Sequence, residues 1–83
     1  MSRENRPKWQ MNAARALGNL GDRRYVPLLL RTFAENPDES VRCMCAWALG
    51  RLGGKEAVKG LEARLPGEEG PVKEEIQLAL EKQ

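Results

Sequence analysis

Few side chains in this 83-residue chain are suited to covalent or acid–base chemistry, and their spacing decides what each is for. Cys43 and Cys45 are the only cysteines, and there is no histidine. Two residues apart on a helix, the thiols point about 200° away from each other, so they cannot bridge. Two thiols without an imidazole also fall short of the four ligands of a tetrahedral zinc site. They read as small apolar core residues of a reducing compartment. Ser2 and Ser40 have no adjacent base to activate them. Gly18-Asn19-Leu20-Gly21 and Gly50-Arg51-Leu52-Gly53 are paired glycines that suggest a phosphate loop, but they follow helical patterns rather than strands. That context fits packing contacts and helix caps. The carboxylate pairs Glu68-Glu69 and Glu74-Glu75 fall in a loop and on an early helical turn, where acids suit the helix dipole. No catalytic, cofactor-binding or metal-ligating residue is assigned.

One constellation remains. Lys8, Arg15, Arg23, Arg24 and Arg31, together with Arg3 and Arg6, put seven cations against Glu4 and Asp22 in residues 1–34, a charge of +5. Residues 35–83 hold seven cations and ten acids, a charge of −3, so the whole chain carries only +2. Such residues can contact phosphates without reading sequence, and the split suggests a polyanion near the amino-terminal half. Lys8, Arg15, Arg23, Arg24 and Arg31 are the candidate contacts.

The elements that position these residues come from a repeat. Ala14-Arg15-Ala16-Leu17-Gly18-Asn19-Leu20-Gly21 returns 32 residues later as Ala46-Trp47-Ala48-Leu49-Gly50-Arg51-Leu52-Gly53, and Gln77-Leu78-Ala79-Leu80 is a degraded third copy. A period of that length marks one supersecondary unit stacked on copies of itself. Trp9, Ala13, Ala16, Leu17 and Leu20 form one helical stripe, and Val41, Cys45, Ala48, Leu49 and Leu52 repeat its offsets. Val26, Leu29, Leu30 and Phe33 supply a second helix behind Pro27. Val58, Leu61 and Leu65 supply its counterpart, and Val72, Ile76, Ala79 and Leu80 a last helix. Gly21 and Gly53 end helices; Asp22, and Asn36 or Asp38, begin them. The fold class is therefore all-α: a short α-solenoid of five helices, two helical hairpins plus a terminal half repeat. A flexible leader covers 1–6 and a single domain 7–83, with repeats over about 7–36 and 37–66 and a capping helix over about 71–82. No apolar run approaches the 18–20 residues of a membrane span, and the polar start is not a secretory signal, so the expected location is cytoplasmic.

Positions that differ between copies orient the stack. The flank Asn12/Arg15, Met44/Trp47, Glu75/Leu78 is polar at both positions only in the first copy, which puts a free end there. On the other flank, Ala14/Gly18 and Ala46/Gly50 are small, while Gln77/Glu81 is polar and marks the opposite end. The simplest packing sets Trp47 and Met44 against Ala14 and Gly18, and Leu78 against Ala46 and Gly50. Both Trp9 and Trp47 occupy positions that read as buried.

Two stretches, Asn12 to Asp22 and Val41 to Gly53, resemble the HEAT-like repeats that also occur in phycobilin lyase proteins. With the intervening Val26-Pro27 and the acidic helix Val72-Lys73-Glu74-Glu75-Ile76, their order is similar to the carboxy-terminal HEAT-like domain of epoxyqueuosine reductase. The resemblance covers nearly all of residues 7–82; Met11 stands where that family has arginine. It implies a non-catalytic helical domain that helps engage tRNA in queuosine synthesis or packs on the catalytic domains of the same enzyme. The family's cobalamin and iron–sulfur clusters would lie in upstream parts absent from this chain. Read without that resemblance, the chain is a free-standing HEAT-like module for a protein partner.

Overall fold

The computed structural model describes residues 6–83. Five helices follow one another: α1 (Arg6–Leu20), α2 (Val26–Glu35), α3 (Glu39–Leu52), α4 (Lys55–Arg64) and α5 (Gly70–Glu81). Short 3-10 turns occupy Arg23–Tyr25 and Leu65–Gly67, and no strand occurs among the described residues. The leader expected over 1–6 lies outside them, except for Arg6, which opens α1.

Local chemistry sets the boundaries. Gly21 adopts a φ of 75° and Gly53 a φ of 68°, a left-handed region that side chains disfavour, and each closes its helix there. The Asp22 carboxylate accepts from Arg24 N–H at the first turn, and the Asp38 carboxylate accepts from Val41 N–H at the start of α3. Pro27 sits in the first turn of α2, where its missing N–H costs no helical bond.

Helices α1, α3 and α5 form one row, and α2 and α4 form a second row against it, with α3 packed on all four of the others. Helix α2 runs antiparallel along α3. Arg42 Nε donates to Phe33 O (3.1 Å) at one end, and Arg23 Nε donates to Leu52 O (3.0 Å) at the other. The largest fully buried side chains are Phe33, Leu49, Leu61, Ile76, Val41, Val72 and Cys45. Each of these except the smaller Cys45 contributes about 1.5–3 kcal/mol by leaving water. Arg42 and Arg64 converge on the buried Glu68 carboxylate, and the Arg42 guanidinium lies 5.5 Å from the Phe33 ring centroid. That cluster ties the turn after α4 to the start of α3.

Close approach within the first row depends on missing side chains. A Cβ on Gly18 would lie 2.8 Å from Trp47 Cζ3 and 3.0 Å from Ala48 Cα. A Cβ on Gly50 would lie 2.6 Å from Ala79 Cβ and 2.9 Å from its Cα. The same small-against-small contact thus joins α1 to α3 and α3 to α5. Here the structure corrects the packing expected for Leu78: Ala79 meets Gly50, while Leu78 is 50% exposed. Helices this close leave no room for a leucine at the point of contact.

The expected core role of Trp9 is also corrected. Trp9 is 57% and Leu20 64% exposed, and Ala16 is exposed as well. Helix α1 packs almost wholly on α3, through Ala14, Gly18, Met11 and Leu17, so no described helix covers its other stripe. Trp47, expected in the core, is only half-buried.

Candidate interaction groove

The outer side of the first row is grooved. Helical geometry places every residue that is equivalent between copies on one line across α1, α3 and α5. One line is Met11, Cys43 and Glu74; a second is Arg15, Trp47 and Leu78. Together with Met44, Glu75, Glu39, Ser40 and Pro71 they bound a cavity of about 600 Å³ that opens to solvent. Its lining includes Met11, Met44 and Trp47, and the Trp47 ring edge reaches over Gly18. Leu78 stands at the wall with half its surface in water.

The charges around the groove are ordered along α3. Glu39 opens the helix and is joined by Glu74 and Glu75 of α5, making one end acidic. Arg15 and Arg51 lie towards the other end, with the Arg51 guanidinium 5.4 Å from the Trp47 ring centroid. Twelve residues separate Glu39 from Arg51, about 18 Å along the helix. The half-buried Cys43 thiol sits nearer the acidic end. Burial first, and then the Glu75 and Glu39 charges, push its pKa up from the usual thiol range. Burial pushes Cys45, inside the core, up to about 11 against a small opposing pull from Arg42. Both thiols are therefore mostly protonated near neutrality. Among the described residues, no group of three or more His, Cys, Asp or Glu side chains gathers to hold a metal ion, and no helix is long and apolar enough to cross a membrane.

The five candidate phosphate contacts do not form one patch. Arg15 lines the groove. Lys8 is exposed on the first turns of α1. Arg24 is held by Asp22 through Nε and Nη2, the closest contact being 2.7 Å. That guanidinium holds the Asp22 carboxyl below the usual carboxylate range. Arg31 pairs with Glu35 one turn along (3.2 Å), and Arg23 spends its Nε on the end of α3. Three of the five thus have internal partners. The structural residues Ala14, Gly18, Ala46 and Gly50 are buried at the row contacts, Trp47 lies over the first of these, and Leu78 is at the groove wall.

Sequence reasoning singled out Trp47, Arg15 and Leu78 but not the groove they bound. The missing signal was the line Met11, Cys43 and Glu74, whose members share one repeat position yet differ in character, as surface positions do.

A family model described as HEAT repeats matches residues 1–81. No curated protein and no solved structure matches the chain. The match spans nearly the whole sequence and agrees with the two-row helical stack: the chain belongs to the HEAT-repeat family.

Proposed function

We propose that this chain is a protein-interaction module that takes an amphipathic peptide segment into the groove across α1, α3 and α5. HEAT repeats are helical-repeat scaffolds that mediate protein contacts, and the family is typically non-catalytic. The observation that carries the reading is the apolar lining of Met11, Met44 and Trp47 with Leu78 half in solvent. Apolar surface of this kind, rimmed by charge, marks interaction sites. Flexible methionines adapt to more than one shape, and tryptophan supplies an anchor. The segment that fits carries an apolar anchor side chain, with a basic residue towards Glu39, Glu74 and Glu75 and an acidic one towards Arg15.

A peptide-display selection against the chain tests this. Selected peptides should carry that pattern, and Leu78→Glu should weaken their binding at least tenfold without changing the melting temperature. Peptides that ignore Leu78→Glu and Met44→Glu would falsify the groove reading.

A second reading rests on the +5 charge of residues 1–34. On it the chain is the carboxy-terminal domain of a cytoplasmic epoxyqueuosine reductase-like enzyme and contacts tRNA phosphates through Lys8, Arg15, Arg23, Arg24 and Arg31, or packs on that enzyme's catalytic domains. The internal partners of three of these arginines leave Lys8 and Arg15 as its best-placed contacts. A tRNA titration at several salt concentrations decides it: binding should fall steeply with salt and weaken in Lys8→Glu with Arg15→Glu. Absence of binding at low salt removes the tRNA contact and leaves the peptide groove standing.

A further inference from the structure

Besides Leu78, three large apolar side chains stand exposed among the described residues: Trp9, Leu20 and Leu28 at 52% or more. Their repeat equivalents, 32 residues on, are Val41, Leu52 and Gly60. Val41 is fully buried and Leu52 is 4% exposed. Gly60 is covered by Leu30 of α2, which stands where its Cβ would be. Helix α2 and the turn before it lie beside all three positions. With that turn, α2 lies along α3 from the Arg42–Phe33 contact beside Val41 to the Arg23 contact on Leu52, and the helix packs on α4. The exposed trio is therefore the imprint of a helix of the α2 type on the amino-terminal edge, with nothing among the described residues filling it.

We propose that this edge docks an amphipathic helix of a partner protein, lying antiparallel to α1 as α2 lies along α3. The apolar stripe it must present is that of α2, a run like Val26, Leu29, Leu30 and Phe33. Its polar side should be acidic, because Lys8 and Arg15 border the edge on α1 and the first 34 residues carry +5. Stacking of a second copy on this edge is disfavoured by the pattern of the chain itself. The opposite end is α5, a helix of the α1 and α3 type, and it presents Gln77 and Glu81 where those helices present Ala14 with Gly18 and Ala46 with Gly50. Trp9, Leu20 and Leu28 lie outside the groove lining, and Arg15 stands between the two surfaces.

The test uses the chain with a synthetic peptide of its own residues 22–36, the segment beside α3, made acidic by Arg24→Glu and Arg31→Glu, with Arg23 kept as the donor it supplies to the end of α3. In a 15N-resolved NMR titration, the peptide should shift the Trp9 indole and the Leu20 and Leu28 amides. The affinity should exceed that of the unaltered basic peptide by at least tenfold. Trp9→Glu with Leu20→Glu should abolish the shifts while the melting temperature holds, and Leu78→Glu should leave them intact. Shifts centred on Met44, Trp47 and Leu78 would overturn the proposal, as would no shift at millimolar peptide. A concentration-dependent dimer that moves the same three residues without peptide would overturn it in favour of a second copy.

Discussion

Helices α1 and α3 carry the same apolar offsets, yet α3 is buried on nearly every side and α1 on one. Leu52 is 4% exposed, and its equivalent Leu20 is 64% exposed. Val41 is sealed, and its equivalent Trp9 has more than half its surface in water. The cause is position in the stack: α3 has α1, α2, α4 and α5 around it, whereas α1 has α3. A repeat unit acquires its core from its neighbours, so one pattern yields a core in the middle and an adhesive edge at the end.

The comparison can be broken most directly with a matched pair. Leu52→Ala should cost about 2–5 kcal/mol, a large share of the stability of a domain this size, and lower Tm by roughly 10 °C or more. Leu20→Ala should stay within about 0.5 kcal/mol. Equal losses in thermal melts of the two variants would show that α1 is covered after all. A smaller difference separates the glycines. Gly50→Ala drives a Cβ into the Ala79 backbone and should cost about 1–3 kcal/mol. Gly18→Ala meets first the far edge of the half-buried Trp47 ring, which can turn outward, and the gain in helix propensity of about 1 kcal/mol offsets part of the clash. Denaturant midpoints should rank Gly50→Ala clearly below Gly18→Ala.

The smallest effect is chemical rather than energetic and separates groove from core. At pH 8 a thiol reagent should modify Cys43 slowly and Cys45 only as the chain unfolds. Burial keeps the Cys45 pKa at about 11, so little thiolate exists there at that pH. Raising the pH should speed both reactions, since deprotonation increases as pH approaches each raised pKa. Equal rates for the two residues, read by mass spectrometry, would contradict the burial difference. A groove peptide should also shield Cys43.

Much of this architecture was legible from spacing. Offsets of three and four residues identify which face of a helix is apolar, and Gly21, Asp22, Pro27 and Asp38 mark where helices end and begin. Spacing does not say whether anything lies against that face, which is why Trp9 and Leu20 read as core. The error at Leu78 is one residue wide: adjacent positions lie 100° apart on a helix, and close approach selected Ala79 for the contact. Two arginine pairings, Arg24 with Asp22 and Arg31 with Glu35, are local, yet charge counting alone took both arginines as free for phosphate. The bond from Arg23 to Leu52 O spans 29 residues and exists only once the stack has formed. The groove is likewise a property of three helices side by side.

That Arg23 bond has a counterpart. Gln83 Nε2 donates to Gly50 O and to Ala79 O, each at 3.0 Å, and its Oε1 lies close to Gly53. The turn of the first hairpin and the last residue of the chain therefore meet at the same point, the carbonyl end of α3. In a linear array each unit answers only to the next, and melting can begin at one end and stop. Here the two ends are coupled through the middle helix. Fraying of α5 withdraws Gln83 from the site where Arg23 is anchored, and opening of the first turn uncaps the helix on which α5 rests. The first turn and α5 therefore both hold the same end of α3, and a probe on each should report opening at the same denaturant concentration.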